Sequence, residues 1–365
     1  MSRSTEILVV GGGPGGLSAA VVAAEMGAKV LLVDDNPALG GQLVKQTHRF
    51  FGSAARDAGI RGFSIAAELV GQIGKLKKNL TVLTETGVVG FYGDGEAGIL
   101  SRSTFERVTF ERVIVATGAV ENSLNFDNND LPGIYGAGAV QTLMNVHGIR
   151  PGNKILMVGS GNIGLIVSYQ LMQAGVEVIG LVEALPAIGG YLVHASKIRR
   201  MGVPIYTGHT IVRGLGADKV EGATLCRVDE KFQMMPNTEF DVYCDCICLA
   251  VGLSPLIDLF QQGQCRMVHV GELGGLVPLH DINMRTTNPR IYVAGDASGI
   301  EEATTAILGG RVAGARAFES IHGENVSATA IVADANRELK TLRSGSTGER
   351  IRWGRDLLLK EIAEC

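Results

Sequence analysis

One pattern, present twice, constrains this 365-residue chain more than any other feature. Gly11-Gly12-Gly13-Pro14-Gly15-Gly16 follows the apolar run Ile7 to Val10, and Gly159-Ser160-Gly161-Asn162-Ile163-Gly164 follows Ile155 to Val158. Each hexapeptide opens a stretch with helical apolar spacing. An acid then closes a second apolar run: Asp34, with Asp35 behind it, after Val30 to Val33, and Glu183 after Leu181-Val182. Strand, glycine turn, helix and strand make a βαβ unit with parallel strands. The predicted class is therefore α/β, with two Rossmann-like units.

The glycine spacing has a physical reading. A dinucleotide pyrophosphate is stabilised by free N–H groups at a helix N-terminus. The first glycine turns the chain out of the strand, the second leaves the backbone open to phosphate, and the third lets helix and strand lie close. The distal acid accepts from ribose hydroxyls. This assigns Gly11, Gly13, Pro14, Gly15, Gly16, Asp34 and Asp35 to one dinucleotide, and Gly159, Gly161, Asn162, Ile163, Gly164 and Glu183 to another. The alternative for either copy is a glycine-rich turn without a ligand. The likeness extends further, since Pro37-Ala38-Leu39-Gly40-Gly41-Gln42-Leu43-Val44 is echoed by Pro186-Ala187-Ile188-Gly189-Gly190-Tyr191-Leu192-Val193, 149 residues on. It suggests two copies of one module; convergence on a common loop is the alternative.

With 50 glycines, 10 prolines and 5% aromatics, the composition suits α/β layers with many tight turns. A net charge of −4 with both signs scattered gives no nucleic-acid-binding face and does not favour an anionic membrane. The first strand starts close to Met1, and no apolar run suffices to span a bilayer, so the expectation is a cytoplasmic protein without a signal peptide or membrane span. The cysteines, Cys226, Cys244, Cys246, Cys248, Cys265 and Cys365, include no C-x-x-C pair and no metal knuckle. If Tyr243 to Ala250 is a strand, Cys244, Cys246 and Cys248 share one face as buried thiols. No metal site is expected.

Further along lie strand-like segments around Thr81 to Val89 and Thr104 to Thr109, the apolar run Arg112 to Val115 leading into Ala116-Thr117-Gly118, a connector at Asn129 to Ile134, and Ile291 to Val293 leading into Ala294-Gly295-Asp296. A helix follows from about Ala303. The tail from about Val326 is charged and ends in an amphipathic run, Arg352 to Ile362.

The order of these motifs resembles the two-dinucleotide-binding-domain flavoproteins of the pyridine nucleotide-disulfide oxidoreductase superfamily, over roughly residues 5 to 322. The segments Leu131 to Gln141, Met284-Arg285-Thr286 and Tyr292 to Asp296 are similar to FAD subunits of hetero-oligomeric dehydrogenases: opine and sarcosine oxidases, dye-linked proline dehydrogenase, hydrogen cyanide synthase, and the small FAD subunits that accompany tungsten aldehyde oxidoreductases. The resemblance implies FAD at the first fingerprint and NAD(P) at the second. It also implies a nicotinamide domain (126–250) inserted into a discontinuous FAD domain (1–125 and 251–323), with 324–365 as a tail. Gly295 and Asp296 are expected to close over the FAD, Ala116, Thr117 and Gly118 to line its site, and Gly41 and Gln42 to approach the isoalloxazine. The helix start near Ala303 is expected to aim at the flavin's pyrimidine edge. The missing C-x-x-C argues against disulfide exchange.

Glu183 repels a 2′-phosphate, and no arginine occupies the next dozen positions, which favours NAD(H). His48 is the weak candidate for a catalytic acid or base, a structural histidine being the alternative. Arg311 and Arg316 read as solvated or interdomain charges. The tail either caps the FAD domain or docks a partner through Leu357, Leu358 and Ile362 with Trp353 at the rim; the partner is the favoured expectation. The chain is expected to be an oxidoreductase, a flavoprotein passing electrons between NAD(H) and a redox partner subunit (an iron–sulfur or metal-cofactor protein) in a hetero-oligomer. The alternatives are a stand-alone amine or imino-acid oxidase, an NADH-linked reductase of a small acceptor, or a non-catalytic sensor.

Overall fold

A computed structural model describes residues 3–53, 56–93, 95–345 and 348–363. The chain forms two compact units. One comprises Met1–Val44, Arg49–Val120 and Ser254–Cys365; the other comprises Lys45–His48 and Glu121–Leu253.

The first unit is built on a seven-stranded sheet. Its parallel part runs Leu80–Leu83, Val30–Val33, Arg3–Val10, the C-terminal half of Thr104–Val115, and Ile291–Val293. Ile7, Leu8 and Val9 are fully buried, as expected of a strand covered on both faces. Register decides what meets at the sheet's edge. Val10 pairs with Val33 and Val115, and Val115 pairs with Val293. Gly11, Asp34, Ala116 and the Ala294-Gly295-Asp296 turn therefore emerge at the carboxyl ends of neighbouring strands, where open α/β sheets bind ligands.

Helices Pro14–Glu25 and Ala303–His322 pack together through small residues. A Cβ at Gly310 would strike the carbonyl of Gly15, and one at Gly314 that of Ala19. Close backbone approach is what the alanine- and glycine-rich faces permit.

The second unit repeats the plan with a five-stranded parallel sheet: Ile205–Thr207, Glu177–Glu183, Lys154–Val158, Cys246–Leu249 and Ile134–Gly136. Val158 pairs with Val182 and Leu249, so Gly159, Glu183 and Ala250 share one edge. A three-stranded antiparallel sheet, His209–Leu215, Gly222–Arg227 and Phe240–Val242, completes this unit.

Several local expectations are corrected. The segment expected around Thr81 to Val89 breaks at Glu85, whose φ is +49°, into Leu80–Leu83 and Thr86–Phe91. The latter pairs antiparallel with Glu96–Ser101, a strand whose weak alternation hid it. The segments at Thr104 and Arg112 form one strand, Thr104–Val115. Cys244 precedes the Cys246–Leu249 strand and joins a different apolar cluster from Cys246 and Cys248. Cys365 lies outside the described residues.

The tail forms helices Val326–Leu342 and Glu349–Ala363, both part of the first unit. Asn325 caps the former, its side chain accepting from Ser327 N at 2.9 Å and Ala328 N at 3.1 Å. Ala328, Val332, Ala335 and Leu339 join the first unit's core. Leu358 is 1% exposed and packs with Val270, Leu273, Val277 and Leu279. Leu358 is therefore a core residue and not a partner anchor, because its helix face has an apolar surface of its own chain to cover. Trp353 stays 56% exposed. Arg311 and Arg316 also depart from expectation. Burial lowers the pKa of Arg311, and Arg316 pairs with Glu319 at 2.5 Å.

Candidate functional site

Each glycine hexapeptide makes the same turn. Gly11 and Gly159 have φ of +104° and +103°, and a Cβ on either would strike the carbonyl of Ala116 or Ala250 on the adjacent strand. Left-handed backbone under a neighbouring carbonyl requires glycine. Gly16 and Gly164 are closed off too, by the carbonyls of Gly11 and Gly159. Gly15 sits against Gly295, whose N would lie 3.0 Å from an added Cβ.

The middle glycines differ. Gly13 (φ −78°, ψ −176°) and Gly161 (φ −65°, ψ 176°) occupy backbone space open to any residue. A Cβ at Gly161 would meet nothing within 4 Å, and one at Gly13 would meet only the Cα of Gly41, at 3.9 Å. Both are helix N-caps without a side-chain cap, and Pro14 takes the first helical position in the first copy. The structure thus presents two helix N-termini with backbone N–H groups left for an outside acceptor. Asn162 turns aside to accept from Tyr191 N at 2.8 Å, and Ile163 is 40% exposed.

The two acids are held alike. Asp34 Oδ2 accepts from Gly12 N and Oδ1 from Asn36 N at 2.8 Å; Asp34 is 7% exposed. Glu183 Oε2 accepts from Ser160 N at 2.9 Å and Ser160 Oγ at 2.7 Å, and Oε1 from Leu185 N at 3.0 Å. An ionised carboxylate has about four acceptor sites, so each acid bonded to its glycine turn keeps capacity for a hydroxyl. Asp35 is exposed and accepts from the Asn36 amide at 2.9 Å.

The repeated loops fold back onto the turns. Gly40 N donates to Gly12 O at 2.8 Å, and Gly190 N to Ser160 O at 2.9 Å. A Cβ on Gly41 would approach Gly13 Cα to 2.7 Å, and one on Gly190 would approach Asn162 N to 2.9 Å. Gln42, just beyond, is exposed. Ala116 N donates to Val10 O at 2.8 Å, and Ala250 N to Val158 O at 2.7 Å. Thr117 donates to Leu256 O at 3.2 Å, and Gly118 turns with φ +76°.

The remaining first-unit residues gather at the Gly295–Ser298 turn. Burial pushes the Asp296 carboxyl up to about 6, against the backbone N–H bond from Glu301. Ala303 opens the long helix, whose cap position, Glu302, gives no side-chain cap. The next residue, Thr304, is 1% exposed, and its hydroxyl has no hydrogen-bond partner among the described residues. An orphaned buried hydroxyl at an uncapped helix start fits a site that takes a polar ligand.

His48 belongs to the second unit, with Lys45 and Thr47. Burial first, then His194 and Lys197, lower its imidazole pKa to about 4. That shift favours the uncharged imidazole at neutral pH. Sequence inspection missed its neighbour Lys45, whose Nζ donates to Gly138 O at 2.9 Å, and Glu121, whose carboxylate accepts from Gly138 N at 2.6 Å and Ala139 N at 3.2 Å. No local pattern announces residues 93 positions apart. Burial pushes the Cys244 thiol up to about 11 and the Cys246 thiol up to about 12. Among the described residues, no three His, Cys, Asp or Glu side chains are placed to hold a metal.

Two Rossmann-like units with twin glycine turns, registered acids and a Gly-Asp turn define a two-nucleotide α/β oxidoreductase fold. The chain belongs to the pyridine nucleotide-disulphide oxidoreductase family, whose sequence model matches residues 5–310. It is 29% identical over 333 residues to an opine oxidase subunit of Rhizobium meliloti (strain 1021), covering 84% of this chain and 69% of that one. It is 27% identical over 334 residues to the alpha subunit of sarcosine oxidase from Corynebacterium sp. (strain P-1), covering 88% of this chain but 33% of that one. The chain thus spans about two thirds of the first relative and one third of the second. In fold it is similar to thioredoxin reductase of T. acidophilum, with a TM-score of 0.72 at 19% identity, over 88% of this chain and all of that one. No described helix is long and apolar enough to cross a membrane.

Proposed function

We propose that the chain is an FAD-dependent oxidoreductase that exchanges electrons between NAD(H) and a partner redox subunit. The observation that carries this reading is the pair Gly13 and Gly161. The fold does not require glycine at either position, and the bare Cα there leaves room for a group to approach the backbone. FAD is assigned to the first unit, through Gly11, Gly13, Pro14, Gly15, Gly16, Asp34, Asp35, Gly41, Gln42, Ala116, Thr117, Gly118, Gly295, Asp296 and Ala303. NAD(H) is assigned to the second, through Gly159, Gly161, Asn162, Ile163, Gly164 and Glu183.

When bound, the flavin supplies the hydride and single-electron chemistry. The chain's own residues bind and orient. Helix N-termini at Pro14 and Asn162 neutralise pyrophosphate. Asp34 and Glu183, held by their turns, face ribose hydroxyls, and the Glu183 carboxylate disfavours a 2′-phosphate. The partner half of the reading is supported by the relatives, which are named as subunits of opine and sarcosine oxidases.

The test is to purify the full chain and titrate it anaerobically with NADH. Retained flavin that bleaches with NADH, with no turnover of amino acids or simple acceptors, supports the proposal. Direct turnover of an amine or imino acid supports the stand-alone oxidase instead. A colourless protein that takes up no added flavin refutes both.

A further inference from the structure

The tail lies beyond the residues matched by the family, yet it sends two arginines to one buried acid beside the Gly-Asp turn. The Glu301 side chain is 7% exposed. Arg343 grips it with two bonds of 2.8 Å, one to each oxygen. Arg355 adds 2.7 Å and 3.2 Å bonds to Oε1, and its side chain is 13% exposed. The rest of the Arg355 fork is committed as well. Nη2 donates to Ser298 Oγ at 3.2 Å and Nη1 to His280 Nε2 at 2.9 Å. His280 can accept there as the tautomer whose Nδ1–H donates to Pro278 O, 2.7 Å away. Ser298 Oγ in turn donates to Gly295 O at 2.8 Å, and Glu301 N–H bonds the Asp296 carboxylate. One chain of hydrogen bonds thus runs from the tail to Gly295 and Asp296.

A cavity of about 400 Å³ borders Asp296, Glu301, Arg343 and Arg355. Away from the cavity the Asp296–Ala303 segment is tied down by Ile300 N, which donates to Leu273 O at 2.9 Å; on the cavity side the ion pairs hold it. Two guanidinium groups meet one carboxylate here, with the Asp296 carboxylate one hydrogen bond away, so loss of either arginine leaves the cluster one charge more negative.

We infer that Arg343 and Arg355 are positioning residues of the flavin site: they hold the Asp296–Ala303 segment through Glu301, and their positive charge favours reduced flavin. This rests on the flavin reading proposed above. Buried charge pairs of this kind are costly to break and cheaper to remove whole, so single and double replacements separate the two roles.

The experiment compares the flavin-loaded full chain with Arg343→Gln, Arg355→Met, Arg355→Lys and the double variant Glu301→Gln/Arg355→Met. The readouts are flavin affinity and the two-electron midpoint potential. The expectation for Arg343→Gln and Arg355→Met is an about tenfold fall in the reduced-to-oxidised ratio at fixed potential, or ~30 mV for a two-electron couple. Arg355→Lys keeps the charge, so it holds the potential while flavin affinity drops. The double variant restores the wild-type charge balance and recovers the potential, which a purely structural role would not do. Should Arg355→Met fail to fold, Arg343→Gln, at a side chain 23% exposed, reads the same shift. Flavin-loaded variants with wild-type affinity and potential overturn the inference alone. A wild-type chain that takes up no flavin overturns the flavin reading and this inference with it.

Discussion

Alanine at the middle and last glycines of each hexapeptide should give opposite results. At Gly161 the backbone is already extended (φ −65°, ψ 176°), and an added methyl meets nothing within 4 Å. Alanine there restricts the unfolded chain without clashing, so Gly161→Ala stabilises the ligand-free protein by about 0.4–1 kcal/mol. The same holds for Gly13→Ala, where the nearest atom is 3.9 Å away. At Gly164 the methyl would strike the Gly159 carbonyl, and overpacking of this kind costs about 1–3 kcal/mol. Binding reverses the order. A methyl on Gly161 holds the pyrophosphate off the helix N-terminus and loses a hydrogen bond to a charged acceptor, about 1.5–3 kcal/mol. That is roughly a ten- to hundredfold loss of NADH affinity. Urea unfolding of the ligand-free protein and fluorescence titration with NADH measure the two effects; flavin retention reports on Gly13→Ala. Wild-type NADH affinity in Gly161→Ala, or a destabilisation equal to that of Gly164→Ala, would refute the assignment.

Leu358→Ala empties a fully enclosed position and should cost about 2–4 kcal/mol by thermal or urea unfolding; a loss below 0.5 kcal/mol, on the order of a surface change, would mean the tail helix is not part of the core. The buried cysteines at 226, 244, 246, 248 and 265 should resist Ellman's reagent until the protein unfolds, as peptide mapping of labelled thiols will show. Stability should fall on acidification. His280 and His48 have folded pKa values lowered to about 3 and about 4 from 6.5, so their contribution is complete above pH 6.5 and drains away as pH drops toward those values. Asp296, raised from 3.8 to about 6, acts oppositely, giving stability below pH 3.8 that is lost as pH rises through 6. The two imidazoles outweigh the one carboxyl, so ligand-free stability declines between pH 6.5 and 4, and His280→Gln, which keeps an acceptor for Arg355, flattens that slope.

Much of the fold was legible in the chain because its determinants are contiguous. A run such as Ile7-Leu8-Val9-Val10, a glycine turn and an alanine-rich helix lie within one βαβ unit, so their order alone implies parallel strands and a ligand-facing edge. The Gly40-Gly41 and Gly189-Gly190 loops were visible as a repeat, though not that they fold onto Gly13 and Asn162. Other features had only a faint signal. The spacing of Gly310 and Gly314 hinted at close helix contact, but nothing in it named Gly15 and Ala19 as the partners.

The local chemistry of the sequence determined two nucleotide-type turns, each with its acid, and its cysteine spacing argued against a thiol-exchange pair. Tertiary structure decided which side chains meet across long separations. Glu301 finds Arg343 and Arg355 from 42 and 54 residues away, and Leu358 faces its own core and not another protein. Short-range geometry follows from backbone sterics and periodicity, which a sequence carries explicitly. Long-range pairing depends on which buried surfaces and charges outweigh the entropy of closing the loops between them, and that balance is settled only when the whole chain packs.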